Sequence, residues 1–235
     1  MDIKGSVALV TGANRGLGRQ FAAALLDRGA AKVYAAARKP ESVDLPGVVP
    51  LALDITDPAA VRAAAEQAGD VQLLVNNAGV STGSSFLGGT LEALHLEMET
   101  HYFGTLAMAR AFAPVLARNG GGAILNVLSI LSWFTTGPRA AGYSAAKAAE
   151  LQLTNGLRLE LQDQGTLVTA LHVGYMDTDM AARVEGPKVD PADVAAQALD
   201  GIEQGRLEVL ADELTRQLRA KLSGDLTGIY PQLAS

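Results

Sequence analysis

The sequence predicts an α/β fold: a doubly wound, seven-stranded parallel sheet with helices on both faces, in a single domain over residues 1–235. Three observations carry this. Short, wholly apolar runs alternate along the chain with longer Ala-rich runs of helical period, the pattern of a parallel sheet covered on both sides. Parallel neighbours need crossovers, and right-handed crossovers wind helices onto both faces. No linker, repeat or low-complexity stretch divides the chain, and 49% of its residues are hydrophobic, enough for one sizeable core.

Taken in order, residues 7–10 are an apolar run ending in a glycine-rich turn, and 16–28 have helical period. Residues 32–37 and 48–53 are the second and third strands. Asp57-Pro58 opens a helix to residue 68, with aspartate as the cap and proline in the first turn. Residues 72–75 form the fourth strand. A long helix is expected over 91–117, with Pro114 marking a kink or end. Residues 123–128 are the fifth strand, 142–162 a helix and 167–173 the sixth strand. A helix over 191–203, a short strand over 207–210 and a last helix complete the chain.

Several function classes are set aside by composition. A formal charge of −6 argues against a general nucleic-acid binder. With no cysteine there are no disulfides, thiolate metal sites or cysteine nucleophiles. The three histidines, His95, His101 and His172, have no metal-ligand spacing, so no metal is expected. The chain shows neither a signal region at its start nor a run of about 18 apolar residues, and is expected to be cytoplasmic, with no membrane partner.

The first strand runs into Thr11-Gly12-Ala13-Asn14-Arg15-Gly16-Leu17-Gly18. Glycines at a strand–helix junction allow a tight turn and close approach of a pyrophosphate to the free N–H groups of the helix. About twenty residues on, where an NAD site carries an acidic residue for the ribose 2′-hydroxyl, the second strand ends in Ala37-Arg38-Lys39. A guanidinium grips a 2′-phosphate bidentately, so Arg38, with Arg15 nearby in the turn, favours NADP(H) over NAD.

Tyr143 and Lys147 stand four apart at the start of the 142–162 helix and so share a face. An ammonium beside a phenol favours the phenolate and makes the tyrosine a better acid near neutral pH.

Together these segments resemble the short-chain dehydrogenases/reductases, in their compact single-domain branch with a Rossmann-type fold. The resemblance spans essentially the whole chain. It rests on the glycine turn, Asp54, Asn76-Asn77-Ala78-Gly79, Ser129 and Tyr143-Ser144-Ala145-Ala146-Lys147. It implies that Asp54 and Ile55 flank the adenine, and that Asn77, Ala78 and Gly79 pass the cofactor ribose. It makes Ser129 the ligand of the substrate carbonyl oxygen and Tyr143 the acid/base. Lys147 then binds the nicotinamide ribose and lowers the tyrosine pKa, while Val173, Gly174, Met176 and Thr178 line the nicotinamide. Ser132 rivals Ser129, but its spacing to Tyr143 is shorter than the family pattern.

The sequence departs from that pattern twice. His101 stands where the family usually has asparagine, whose main-chain carbonyl supports a proton relay. The carbonyl survives the change, and an imidazole that titrates near neutrality can itself carry protons. Val173 stands where Pro often precedes the glycine.

The resemblance places the substrate among Ser81, Ile130, Leu131, Trp133, Phe134, Tyr175, Met180 and Val184, with residues 179–190 as a short lid. These side chains are mainly apolar and point to a hydrophobic ketone or aldehyde. The expected activity is NADPH-dependent carbonyl reduction, reversible as alcohol oxidation. The alternative is an NADP-binding sensor on the same fold without turnover. Subunit contacts are expected through helices 91–117 and 142–162, giving a homodimer or homotetramer.

Overall fold

The computed structural model describes residues 1–182 and 185–233. Its strands are β1 (Val7–Thr11), β2 (Lys32–Ala37), β3 (Val49–Ala52), β4 (Leu73–Asn76), β5 (Ala123–Val127), β6 (Leu167–His172) and β7 (Glu208–Leu210). They form one sheet in the order β3-β2-β1-β4-β5-β6-β7, every pair parallel. The strand order reverses between β1 and β4, and the crevice at their carboxyl ends is where such sheets bind ligands. β3 tolerates Pro50 because it is an edge strand, paired only with β2.

The helices are α1 (Gly16–Asp27), α2 (Pro58–Gln67), α3 (Leu91–Met98), α4 (Thr105–Arg118), α5 (Ala141–Glu160), α6 (Pro191–Glu203) and α7 (Glu213–Lys221). Alternate strand residues supply two cores. Ala8, Val10, Leu73, Val75, Ala123 and Leu125 pack with Phe21 of α1 and Val194 of α6. Leu9, Leu74 and Ile124 face the other way, toward Val61 of α2, Phe112 of α4 and Leu157 of α5. The period-two alternation thus feeds both faces. Asp57 caps α2 by accepting the Ala59 N–H at 2.8 Å, as its sequence position suggests.

The expected long helix over 91–117 is interrupted. Between α3 and α4 lies one π-helical turn, Glu99–Gly104, which carries His101. Such turns absorb an extra residue without ending the helix and recur at functional sites. Pro114 does not end the helix: α4 runs on to Arg118. Pro114 lies on the exposed side, so the carbonyl it deprives of a donor faces water.

Candidate active site

The glycine turn closes the carboxyl end of β1. Gly12 and Gly16 have φ of +65° and +52°, the left-handed region that favours glycine. A Cβ at Gly18 would collide with the Gly12 carbonyl oxygen and the Asn77 amide, so α1 approaches the turn as closely as its backbone permits. Thr11 ties β1 to β4. Its hydroxyl accepts the Asn77 and Ala78 N–H groups at 2.9 and 3.0 Å, and the Asn77 amide donates to the Thr11 carbonyl at 2.8 Å. The cradle therefore leaves room for backbone approach to a pyrophosphate at the α1 N-terminus, and its residues fit a dinucleotide. Asn14 donates to Ser42 at 3.1 Å. Leu17 is buried in the core beneath the turn.

Arg38 is exposed at the end of β2. Beside it, burial pushes the Asp54 carboxyl up, but hydrogen bonds from Thr56 and the Arg38 charge outweigh this and hold it below its usual value. Ile55 is buried, and a Cβ on Gly104 of the π turn would come within 2.8 Å of it. Arg15 pairs with Asp179 at 3.2 Å, both side chains largely exposed. An open cavity of about 390 Å³ adjoins the turn, lined by Gly16, Gln20, Asp177, Lys188, Asp190 and Pro191. It lies beside the cradle; Ser129, Tyr143 and Lys147 are not in its lining.

The reactive side chains gather at the ends of β5 and β6 and the first turns of α5. Ser129 follows β5 and is held by backbone bonds, Leu128 N–H to Leu171 and Ile130 N–H to Val173, at 2.8 and 2.9 Å. Its hydroxyl accepts the Leu131 N–H at 3.1 Å, which leaves its O–H free to donate. Ser132 turns back to accept the Ser129 N–H at 3.3 Å, so this rival hydroxyl serves to fold the turn. The Ser129 hydroxyl is near enough to the Tyr143 phenol to stabilise its anion.

Lys147 lies below the tyrosine ring, 5.9 Å from its centre. It donates to the Val127 carbonyl at 2.6 Å and to Glu150 at 2.7 Å. The expectation of a lowered tyrosine pKa does not hold for the chain alone. Burial raises the Tyr143 pKa above its ordinary value, and Glu150 and Glu97 add to the rise; Lys147 and Ser129 pull down without prevailing. Glu150 was not apparent from the tyrosine–lysine pair, yet it extends the same helical stripe by one turn, at i+3 from Lys147.

His101 is 1% exposed. Its Nε2–H donates to the Val80 carbonyl at 2.7 Å, and its ring meets Tyr143 edge-on at 5.1 Å. A Cβ on Gly79 would come within 2.7 Å of it, so the imidazole fills the space beneath that glycine. Burial and the nearby Lys147 charge hold its pKa well below the usual value, despite the Val80 bond. The sequence-based expectation of an imidazole titrating near neutrality is corrected: this histidine is neutral at pH 7.

A buried polar ladder runs beneath the site. The Asn76 amide donates to Asn126, Asn126 to Thr154, and Thr154 to the Glu150 carbonyl, at 2.9, 2.9 and 2.8 Å. Glu97 of α3 accepts the Thr82 N–H and hydroxyl at 2.7 and 2.9 Å and pins the loop after β4. Beyond β6, Val173 is buried and the Gly174 N–H donates to Asp212 at 2.7 Å. Asp212 also caps α7 through Thr215. Both carboxylates escaped the sequence reading, because their partners are distant in sequence.

The expected substrate residues separate into two groups. Ser81, Tyr175 and Met180 are exposed around the site. Ile130 and Leu131 are buried and pack with Leu218, while Phe134 and Trp133 lie against the same cluster. Trp133 stacks on His172 at 4.1 Å. Val184 lies outside the described residues. Met176 bridges to Val189, and the Asp177 N–H donates to Val189, closing the neck of the segment that follows β6. Thr178 sits against Gly16: a Cβ there would be 3.5 Å from its methyl group. No cluster of three or more metal-binding side chains occurs among the described residues. No helix among them is long and apolar enough to cross a membrane.

Comparison with known proteins agrees with this geometry. Residues 6–188 match the family model described as short chain dehydrogenase. The chain belongs to the short-chain dehydrogenase/reductase family. A short chain dehydrogenase from Burkholderia cenocepacia, crystallised with NADP, is 42% identical with a TM-score of 0.94, and the match covers 100% of each chain. The 1-deoxy-11-beta-hydroxypentalenate dehydrogenase of Streptomyces avermitilis is 32% identical over 202 residues, covering 80% of this chain and 75% of the relative. The 3-oxoacyl-(acyl-carrier-protein) reductase FabG of Escherichia coli is 29% identical over 189 residues, 77% of each.

Proposed function

We propose that the protein is an NADPH-dependent carbonyl reductase, reversible as an alcohol dehydrogenase, acting on small to medium hydrophobic ketones or aldehydes. One observation carries the reading: Ser129, Tyr143 and Lys147 converge, and His101 joins Tyr143 to Gly79 in the segment that Thr11 ties to a glycine cradle fit for a dinucleotide. The cofactor would lie across Gly12, Asn14, Arg15, Gly16, Leu17 and Gly18. It would pass Asp54, Ile55, Asn77, Ala78 and Gly79 and end near Val173, Gly174, Met176 and Thr178. Arg38, and the NADP held by the Burkholderia relative, support NADP(H) as that cofactor. When bound, the reduced nicotinamide supplies hydride.

The chain's own residues do the rest. Ser129 and Tyr143 donate hydrogen bonds to the carbonyl oxygen as negative charge develops there, and Tyr143 gives it a proton. With a raised pKa the phenol is fully protonated at neutral pH, ready for reduction. The two bonds that Lys147 makes within the chain leave its third N–H for a ligand. Ser81, Tyr175 and Met180 supply substrate contacts, and residues 179–190 act as the lid. The buried positions of Ile130 and Leu131, with the half-buried Trp133 packed against them, support a part in shaping the pocket wall.

The family's usual subunit contacts involve the helices that here span 91–118 and 141–160, and we extend the homodimer or homotetramer reading to this chain. The exposed Leu91, Leu96, Phe103 and Leu159 on these segments favour it. A cysteine-free sequence suits a reducing cytoplasm.

The test is NADPH and NADH consumption over a panel of ketones and aldehydes, with Tyr143→Phe as control. Turnover with NADPH, falling about 10²- to 10⁴-fold in the folded Tyr143→Phe protein, is expected. Tight NADPH binding without turnover across the panel would favour the sensor reading instead.

A further inference from the structure

Glu150 is a carboxylate in a place where a leucine would be cheaper. It is 2% exposed, on the buried face of α5. One oxygen accepts from Lys147 at 2.7 Å and the other from the Thr105 hydroxyl at 2.9 Å. Nδ1 of His101, which has no hydrogen-bond partner, lies 3.8 Å from the first oxygen. Three elements therefore enclose one carboxylate: α5 with Lys147, the π turn with His101, and the first residue of α4 with Thr105. The titratable groups around it are Lys147 and Tyr143 on its own helix and His101 from the π turn; Glu97 of α3 lies farther off, against Gly142.

Buried ion pairs stabilise folds poorly, because both charges lose their hydration. This pair has a different consequence. Lys147 is itself 4% exposed, and without a counter-charge its ammonium would be driven toward the neutral amine. Glu150 and the Val127 carbonyl hold two of its three N–H groups from below.

We propose that Glu150 is a positioning residue for Lys147: it anchors the ammonium at the end of β5, with the Thr105 hydroxyl holding the carboxylate in place, before any ligand arrives. The burial that disfavours the lysine's charge is outweighed by Glu150, and the lysine pKa lies above its ordinary value. Take the carboxylate away and burial is left without that opposition.

The importance of this anchor to catalysis rests on the carbonyl-reductase reading, but the anchor can be tested without cofactor or substrate. The probe is the side-chain Nζ signal of isotopically labelled lysine, assigned with Lys147→Met, followed by NMR against pH in the cofactor-free protein. In Glu150→Leu and Glu150→Gln the Lys147 midpoint is expected to fall by about one unit or more. In the enzyme assay the alkaline limb of the pH profile should shift the same way, with kcat affected more than the ketone KM. A midpoint unchanged in both variants would overturn the proposal. If neither variant folds, Lys147→Met/Glu150→Leu decides. Recovery of the fold would show that the stranded ammonium was at fault; failure to recover would overturn the proposal. A lysine that shifts in a protein without turnover would leave the anchor standing and remove the reductase reading alone.

Discussion

Replacing Arg38 with serine separates cofactor choice from everything else in the molecule. Arg38 is exposed, and among the described residues its guanidinium makes no hydrogen bond or salt bridge, so nothing in the fold depends on it. Stability should change by no more than about 0.5 kcal/mol. A charge-assisted bond to a phosphate is worth about 1.5–3 kcal/mol, so NADPH affinity should fall roughly tenfold to a hundredfold. NADH, which lacks the 2′-phosphate, should bind the variant as it binds the parent. Titration of both dinucleotides by calorimetry gives the two ratios. The loss for NADPH should shrink at high salt, as the charge is screened at the exposed site. Asp54 gives an internal check: with the Arg38 charge gone its carboxyl should titrate higher, which carboxylate NMR can follow. Equal loss of NADPH and NADH, or loss of neither, would refute the assignment of Arg38 to the 2′-phosphate.

His101→Asn should stay folded and keep carbonyl reduction within about tenfold, since an amide can also donate to Val80; abolished activity in a folded variant would contradict this supporting role. His172 is held at a pKa of about 4, chiefly by burial, against about 6.5 in the unfolded chain. Above pH 6.5 both states leave it neutral. As pH falls from 6.5 toward 4 the unfolded chain takes up a proton that the folded one refuses, so stability falls, by about 2 kcal/mol at pH 5. Urea unfolding at pH 7 and pH 5 should show that much less acid sensitivity in His172→Phe; an unchanged difference would rule out His172 as its source.

The sheet was legible because apolar strands buried on both faces and helical Ala-rich runs differ in period, and because the glycine turn marks the first junction. The tyrosine–lysine stripe was legible because four residues is one helical turn. Other features leave no such mark. The π turn at 99–104 looks like any helix in composition, so the placing of His101 beneath Gly79 emerges only in three dimensions. Asp212 meets Gly174 across 38 residues, and Glu97 meets Thr82 between a helix and a loop. Glu150 was in principle visible, as the one acidic residue of the 143–147–150 stripe. The net effect on Tyr143 was not, because it depends on how burial and two carboxylates weigh against one ammonium.

The ladder from Asn76 through Asn126 and Thr154 to Glu150 has a practical consequence. It joins two strands to α5 without using a residue from the loops at 80–90, 130–140 or 175–189. The ladder and most of the loop residues are thereby separate parts. Those loops can be varied to recruit new substrates while the ladder beneath keeps its alignment, provided that Val80, which holds His101, and Met176 and Thr178, assigned to the cofactor, are kept. Mutational libraries aimed at selectivity belong in the loops, and the four ladder positions should be left untouched.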